Sequence, residues 1–245
     1  MIAAAAAPSL APASAVGERI HGIDVSRFQG LIDWERVGET KNEFAFVQAS
    51  RGSGDDCTVA PERCGPDEFY DRNYYLARQE GIRVGPYHRT FTGGEGHRGV
   101  RRDARREATV FLTEMGSLRD HDLLPVLDVE TPFNGLTPGE LRVWIRTWLD
   151  RVTRQLGVRP IIYTNNSSWQ ATGDTTEFAY AGHPLWVANW KVDEPLVPAA
   201  NWAGLGWTVW QYRSDGRVPG IDGDVDRNRL RVPLRSISVG ATDDP

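Results

Sequence analysis

The sequence predicts an α/β protein in which about eight strands close into a modified TIM-like barrel, with helices missing in the C-terminal third. Three observations point there. Apolar runs alternate with helical periodicity through the first two thirds of the chain, which implies parallel strands joined by helical crossovers. Eight or so strand-like segments fall within roughly 225 residues, the scale of a closed barrel. The last third is strand-rich and carries few helical signals. No linker, repeat or shift in composition divides residues 19–245, so they are expected to form one domain.

The elements follow in order. Arg19–Val25 reads as a short strand carrying Asp24. Phe44–Ser50 is a second strand, closed by Gly52-Ser-Gly54. Phe69–Gln79 reads as a helix stopped by Gly81, and Ile82–His88 as the third strand. Val100–Glu114 is a helix ended by Gly116. Leu123-Leu-Pro-Val-Leu-Asp128-Val-Glu130-Thr is an apolar run ending in two acids. Side chains alternate along a strand, so Asp128 and Glu130 are expected on one face. Thr137-Pro-Gly-Glu140 matches a capping box with Pro138 at the first helical position. Leu141, Trp144, Ile145, Trp148, Leu149, Val152 and Leu156 then recur at helical spacing, which sends Trp144 and Trp148 to the core. Strands are expected at Arg159–Thr164, Pro184–Trp190, Trp207–Tyr212 and Ile221–Asp226.

Bulk composition excludes several classes. The 245-residue chain has a net charge of −5, so no global attraction draws it to nucleic acid or anionic membrane. No run approaches the length of a transmembrane helix. Residues 1–18 read as a disordered leader or signal-peptide remnant, with an A-x-A pattern at Ala13-Ser-Ala15. Cys57 and Cys64 share a polar, Pro/Gly-rich loop and are expected to form a local disulfide, which suits a secreted protein; two unpaired thiols are the alternative. A monomer is expected.

Barrels of this kind place their chemistry at the C-terminal ends of the strands. The strand-end residues are Asp24, Gln48, Tyr87, His88, Asp128, Glu130, Tyr163, Asn189, Gln211 and Asp226. Any one of them alone is a polar side chain meeting water. Together, acids, amides and phenols suit a polyhydroxylated, N-acetylated substrate. Among nine Trp, those near strand ends (Trp186, Trp190, Trp207 and Trp210) are candidates for stacking on sugar faces. Asp222-Gly-Asp-Val-Asp226 opens like an EF-hand, but Arg227 and Pro233 occupy the positions that need Gly and Glu. The five His lack metal-ligand spacing, so neither metal nor cofactor is expected. Arg98–Arg106 is a basic run at helical spacing that reads as a solvated face, with a wall-binding role open.

Several ordered motifs then carry a resemblance. His21-Gly-Ile-Asp24-Val-Ser-Arg-Phe-Gln29-Gly, Gly85-Pro-Tyr87-His88, Leu127-Asp128-Val-Glu130, Ile162-Tyr163-Thr-Asn165, Pro184-Leu-Trp186-Val-Ala and Trp210-Gln211-Tyr…Val225-Asp226 resemble glycoside hydrolase family 25, the Chalaropsis-type lysozymes. The resemblance implies a flattened barrel of eight strands and about five helices. It implies cleavage of the β-1,4 bond between N-acetylmuramic acid and N-acetylglucosamine in peptidoglycan glycan strands. By position, Glu130 matches the general acid and Asp128 the carboxylate beside it, while Asp24 and Asp226 match two further cleft acids. Tyr87, His88, Tyr163, Trp186, Asn189 and Gln211 are expected to contact substrate. Asp128 either attacks the sugar or orients the substrate acetamido group as nucleophile; the second route is preferred, since neighbours on one strand do not easily reach both faces of a ring. An inactive peptidoglycan-binding barrel and a chitinase-like glycosidase are the alternatives. The chain departs from the family after its second strand, where Lys-Ala-Thr-Glu-Gly is usual and Gln48-Ala-Ser-Arg51-Gly52 stands here. One cation is lost and one gained.

Overall fold

Alternation of side chains along the strands builds two apolar layers, one inside a barrel and one between the barrel and its helices. The computed structural model describes residues 20–53 and 64–240 of the chain. Among them are nine strands: β1 (His21–Val25), β2 (Asn42–Arg51), β3 (Gly65–Pro66), β4 (Arg83–Arg89), β5 (Val126–Asp128), β6 (Ile161–Asn165), β7 (Leu185–Ala188), β8 (Val209–Gly216) and β9 (Val225–Leu230). Eight run around the barrel in the order β1-β9-β8-β7-β6-β5-β4-β2, and β1 pairs with β2 to close it; β3 adds an edge to β2. Around the ring the pairings among β1, β2 and β4 to β8 are parallel, whereas β9 runs antiparallel to both of its neighbours and the edge strand β3 antiparallel to β2. This is a mixed barrel of the TIM-like kind.

Inward-facing Phe44, Phe46, Val126, Ile161, Trp186, Val209 and Leu230 fill the interior. Two glycines make room for the phenyl rings. A Cβ on Gly22 would lie 2.6 Å from Phe44, and one on Gly85 would lie 2.8 Å from Phe46. Phe46 in turn stacks on Trp186 with ring centroids 4.5 Å apart. Outward-facing Ala45, Val47, Val84, Leu127, Ile162, Leu185 and Val187 meet the helices.

The helices are α1 (Trp34–Gly38), α2 (Tyr70–Gln79), α3 (Gly96–Met115), α4 (Pro138–Leu156), α5 (Asn166–Gln170) and α6 (Glu177–Tyr180). The α4 capping box forms as expected: Glu140 N–H donates to Thr137 Oγ1 at 3.3 Å, and Thr137 N–H donates to Glu140 Oε2 at 3.0 Å. Such a cap stabilises by about 1 kcal/mol. Trp144 and Trp148 are fully buried beneath α3 and α4. After α4 only short helical pieces remain, so crossovers in the last third are reduced rather than absent. One of them, Pro198–Ala203, is left-handed, with φ between 50° and 57° from Ala199 to Ala203. Each L-residue in that region costs roughly 1–2 kcal/mol. Burial of Trp202, its Nε1–H bond to His183 O at 2.8 Å, and the 2.7 Å bond from Ala199 N–H to Asp174 Oδ1 oppose that cost.

Two expected elements shift. The strand expected at Ile221–Asp226 is β9 at Val225–Leu230, so Asp226 opens its strand instead of ending it. It still reaches the same face as the other acids, because β9 runs backwards and Asp226 pairs with Asp24. The acid pair also divides: Asp128 ends β5, and Glu130 lies in the loop beyond it. Cys64 is disulfide-bonded, and Cys57 lies outside the described residues. No helix among the described residues is long and apolar enough to cross a membrane.

Candidate active site

A cleft of about 270 Å³ opens where the parallel strands end. Inward-facing positions at successive strand ends line it: Asp24, Gln48, Tyr87, Asp128, Tyr163, Trp186 and Gln211, joined by Glu130 from its loop and Asp226 from β9.

On the β1, β8 and β9 side the acids are held by amides. Gln211 Nε2 donates to both oxygens of Asp24, at 3.0 and 3.2 Å, and Asn228 Nδ2 donates to Asp24 Oδ2 at 2.7 Å. Trp186 Nε1–H fixes Asn228 by donating to its Oδ1 at 2.9 Å. Burial pushes Asp24 up to about 6, less than it otherwise would because these bonds favour the charged form. Asp226 is pushed up to about 9, by burial first and then by the negative charge of Asp24, to which it is hydrogen-bonded. At neutral pH the pair therefore shares one proton, carried by Asp226 and donated to Asp24. Tyr163 Oη donates to Gln211 Oε1 at 3.1 Å, and Trp190 Nε1–H reaches the same oxygen at 3.0 Å.

On the β2, β4 and β5 side a guanidinium takes over. Arg89 Nε lies 2.9 Å from Glu130 Oε1 and 3.6 Å from Asp128 Oδ2. Its Nη1 donates to Glu130 O at 3.0 Å and its Nη2 to Thr131 O at 2.8 Å, so one side chain grips both the carboxylate and the backbone of the loop. Burial first, and then the charge of Glu130, raises Asp128 well above the usual carboxylate range; Arg89 opposes that rise. Asp128 Oδ1 is buried without a hydrogen-bond partner among the described residues. The side chain of Glu130 stays 32% exposed, against 9% for Asp128. Arg51 also lines the cleft. It arrives there through a bulge: Gln48 pairs with Tyr87 and Ser50 with His88, so Ala49 and Ser50 together oppose one residue of β4. The extra residue turns Arg51 inward beside Arg89, and both guanidiniums flank the ring of Phe91, at 4.5 and 5.3 Å from its centroid.

Four expected cleft residues lie elsewhere. His88 follows Tyr87 on the strand, so the pleat turns it outward, where it is fully buried under α3. There it joins Ser50 Oγ to Nδ1 and Glu107 Oε2 to Nε2, each at 2.8 Å. Burial lowers His88 to about 3, which keeps the ring neutral. Asn189 lies just past β7, where its Oδ1 accepts the Leu196 N–H at 2.8 Å and shapes a loop. Trp207 and Trp210 pack in the outer layer. Trp190 is 47% exposed and does reach the cleft edge through Gln211. Sequence reading missed Arg89 and Asn228. Both lie two residues beyond a recognised cleft residue, Tyr87 and Asp226, and period-two alternation puts them on the same face. Arg51 stood out only as the cation gained in the departure from the family pattern; the bulge that turns it inward leaves no compositional mark.

Comparison with known proteins agrees with this geometry. The description of glycosyl hydrolases family 25 matches residues 23–221. Lysozyme M1 of Streptomyces globisporus is 33% identical over 229 residues, covering 91% of this chain and 70% of the relative. The solved bacterial lysozyme of Streptomyces coelicolor superposes with a TM-score of 0.75 at 31% identity, over 90% of this chain and 96% of that one. A muramidase from Acremonium alcalophilum gives a TM-score of 0.73 at 25% identity, over 89% and 98% of the two chains. With its barrel, its strand-end acids and a match across most of its length, the chain belongs to glycosyl hydrolase family 25.

Proposed function

We propose that the protein is a muramidase that hydrolyses the β-1,4 bond between N-acetylmuramic acid and N-acetylglucosamine in peptidoglycan. Family membership supports the reaction, and the lysozymes and muramidases among its relatives support the substrate. Glu130 is the general acid, because it is the more exposed member of the Asp128–Glu130 pair and stands where a leaving oxygen can meet it. Asp128 orients the substrate acetamido group, whose carbonyl oxygen then attacks the anomeric carbon. The observation that carries this role is the unpartnered Oδ1 of Asp128, a buried acceptor ready for the acetamido N–H. An oxygen of each carboxylate lies within 3.6 Å of the same Arg89 nitrogen, which argues against the roughly 6.5–9.5 Å separation of an inverting pair. Gln48, whose Nε2 is also unpartnered, and Tyr87, which donates to Gln48 Oε1 at 3.3 Å, offer polar contacts at the floor. Phe28, exposed at the rim, and Trp190 offer apolar faces to sugar rings.

The disulfide at Cys64 supports action outside the producing cell, where such bonds persist and where peptidoglycan lies. One feature favours a second reading. The close ion pair of Glu130 with Arg89 suits a wall-binding cleft with little turnover. Product analysis by mass spectrometry decides. Wild-type protein releases muramic-acid reducing ends from purified peptidoglycan; Glu130→Gln binds walls but releases about a thousandfold less. Turnover by Glu130→Gln within tenfold of wild type removes Glu130 from the acid role. Absence of release by wild type leaves the binding reading, and equal cleavage of chitin points to a broader glycosidase.

A further inference from the structure

We propose that the exposed arginine stripe of α3 docks the acidic stem peptides of the peptidoglycan whose glycan strand occupies the cleft, an inference that rests on the muramidase reading. Arg98, Arg101, Arg102 and Arg105 recur at helical spacing and are all exposed. The opposite face of α3, including Val100, Ala104, Ala108 and Phe111, is buried against the barrel and α4. None of the four guanidiniums makes an ion pair or hydrogen bond among the described residues. The acids beneath them are committed elsewhere: Asp103 accepts from Gly93 N–H at 2.7 Å and Trp144 Nε1–H at 2.6 Å, and Glu107 accepts from Phe91 N–H at 3.2 Å and contacts His88. Glu140 of α4 faces His97 at the head of the helix, not the stripe.

The arrangement works against the helix that carries it. The first turn of α3 has no acid and its last turn no base, so the stripe begins at the positive end of the helix dipole. Like charges three and four residues apart repel. A face built for stability would mix signs, and the chain as a whole is acidic, with a net charge of −5. The charge is therefore local, and a partner of opposite sign is what offsets its cost.

Position names the partner. α3 leaves β4 at the rim that bears the cleft, and the stripe then runs roughly 10 Å down the outer wall. A glycan strand lying in the cleft carries its peptides to that rim. Their free carboxylates match the planar fork of a guanidinium, which takes carboxylates two bonds at a time. Aromatic side chains do not interleave with the arginines, so stacking nucleobases find no platform here.

The test compares the Arg98→Gln, Arg101→Gln, Arg102→Gln, Arg105→Gln combination with its parent, both carrying Glu130→Gln to prevent turnover. Binding is measured by co-sedimentation with acid-extracted, phosphate-free peptidoglycan, with the same glycan after amidase removal of its peptides, and with duplex DNA. The expected result is about tenfold weaker binding of the combination to peptide-bearing glycan at low salt, a difference that fades near ~0.5 M salt. On peptide-free glycan the two forms bind alike, and matching thermal melts show that both are folded. The four-Lys counterpart restores the charge but not the fork, so it recovers only part of the binding. Equal binding of both forms overturns the proposal, as does a loss that persists on peptide-free glycan. A loss seen only when wall phosphate polymers are retained, or only on DNA, assigns the stripe to another polyanion. Reducing-end release by the protein with Glu130 intact is measured on the same material: release with unchanged docking refutes the stripe alone, whereas no release refutes the muramidase reading.

Discussion

The two walls of the cleft solve one problem in different ways. Each must hold two carboxyl groups close together and largely out of water, where unpaired charge is costly. The β1–β8–β9 wall removes charge with a proton: Asp226 keeps its own and hydrogen-bonds Asp24, while Gln211 and Asn228 supply neutral donors. The β4–β5 wall balances charge with a cation, Arg89, set between Asp128 and Glu130. A proton shared between buried acids cuts the charge of the pair from two to one, and neutral donors hold what remains. A cation leaves the acids beside it able to change protonation without emptying the site of charge. This contrast supports the proposed assignment of proton transfer to the Arg89 wall.

Substitutions on the two walls test that division. Removing the oriented acceptor has the largest effect: Asp128→Ala lowers kcat on peptidoglycan by roughly 10²–10⁴-fold, read as reducing-end release, with wall binding kept. Arg89→Met lowers kcat about tenfold and moves the pH limb set by Asp128 upward by roughly one pH unit, because the nearby cation no longer opposes the rise of that carboxyl. An unmoved limb would mean that Arg89 only braces the backbone at Glu130 and Thr131. Asp226→Asn mimics the protonated pair, so kcat near pH 6 stays within about threefold of wild type. Its effect falls on stability. The folded carboxyl holds its proton up to about 9, while an unfolded one loses it near 3.8. Between those values the native state binds the extra proton, so this group lets stability fall as pH rises. Thermal melts should show Asp226→Asn gaining about 2–4 °C over wild type at pH 8 and little at pH 3. The smallest effect is expected at the rim, where Trp190→Ala raises KM about threefold without lowering kcat.

Much of this was legible in the sequence, and the misses have physical causes. α4 was readable in detail because its cap, its apolar stripe and its terminal Gly157 agree with one another. Asp24, Tyr87, Asp128, Tyr163, Trp186, Gln211 and Asp226 were found because each closes or opens an apolar run. His88 was misplaced because being near a strand end does not fix which face a residue occupies; counting by twos from Gly85 gives Tyr87 and Arg89 instead. The bulge at Ala49 and Ser50, the reversed direction of β9 and the left-handed turn at Ala199–Ala203 depend on long-range packing, for which a short stretch of residues holds no signal.

The reversed last strand also sets when the cleft can become chemically competent. Asn228 and Asp24 are 204 positions apart, yet they meet at the seam where β9 zips onto β1. Bringing them together costs the loop entropy of nearly the whole chain. The shared proton depends on that closure, because burial and the contact between Asp24 and Asp226 both come from it. A partly made or partly opened barrel thus keeps the Arg89 wall of the cleft but lacks the seam that buries Asp24 and Asp226 together.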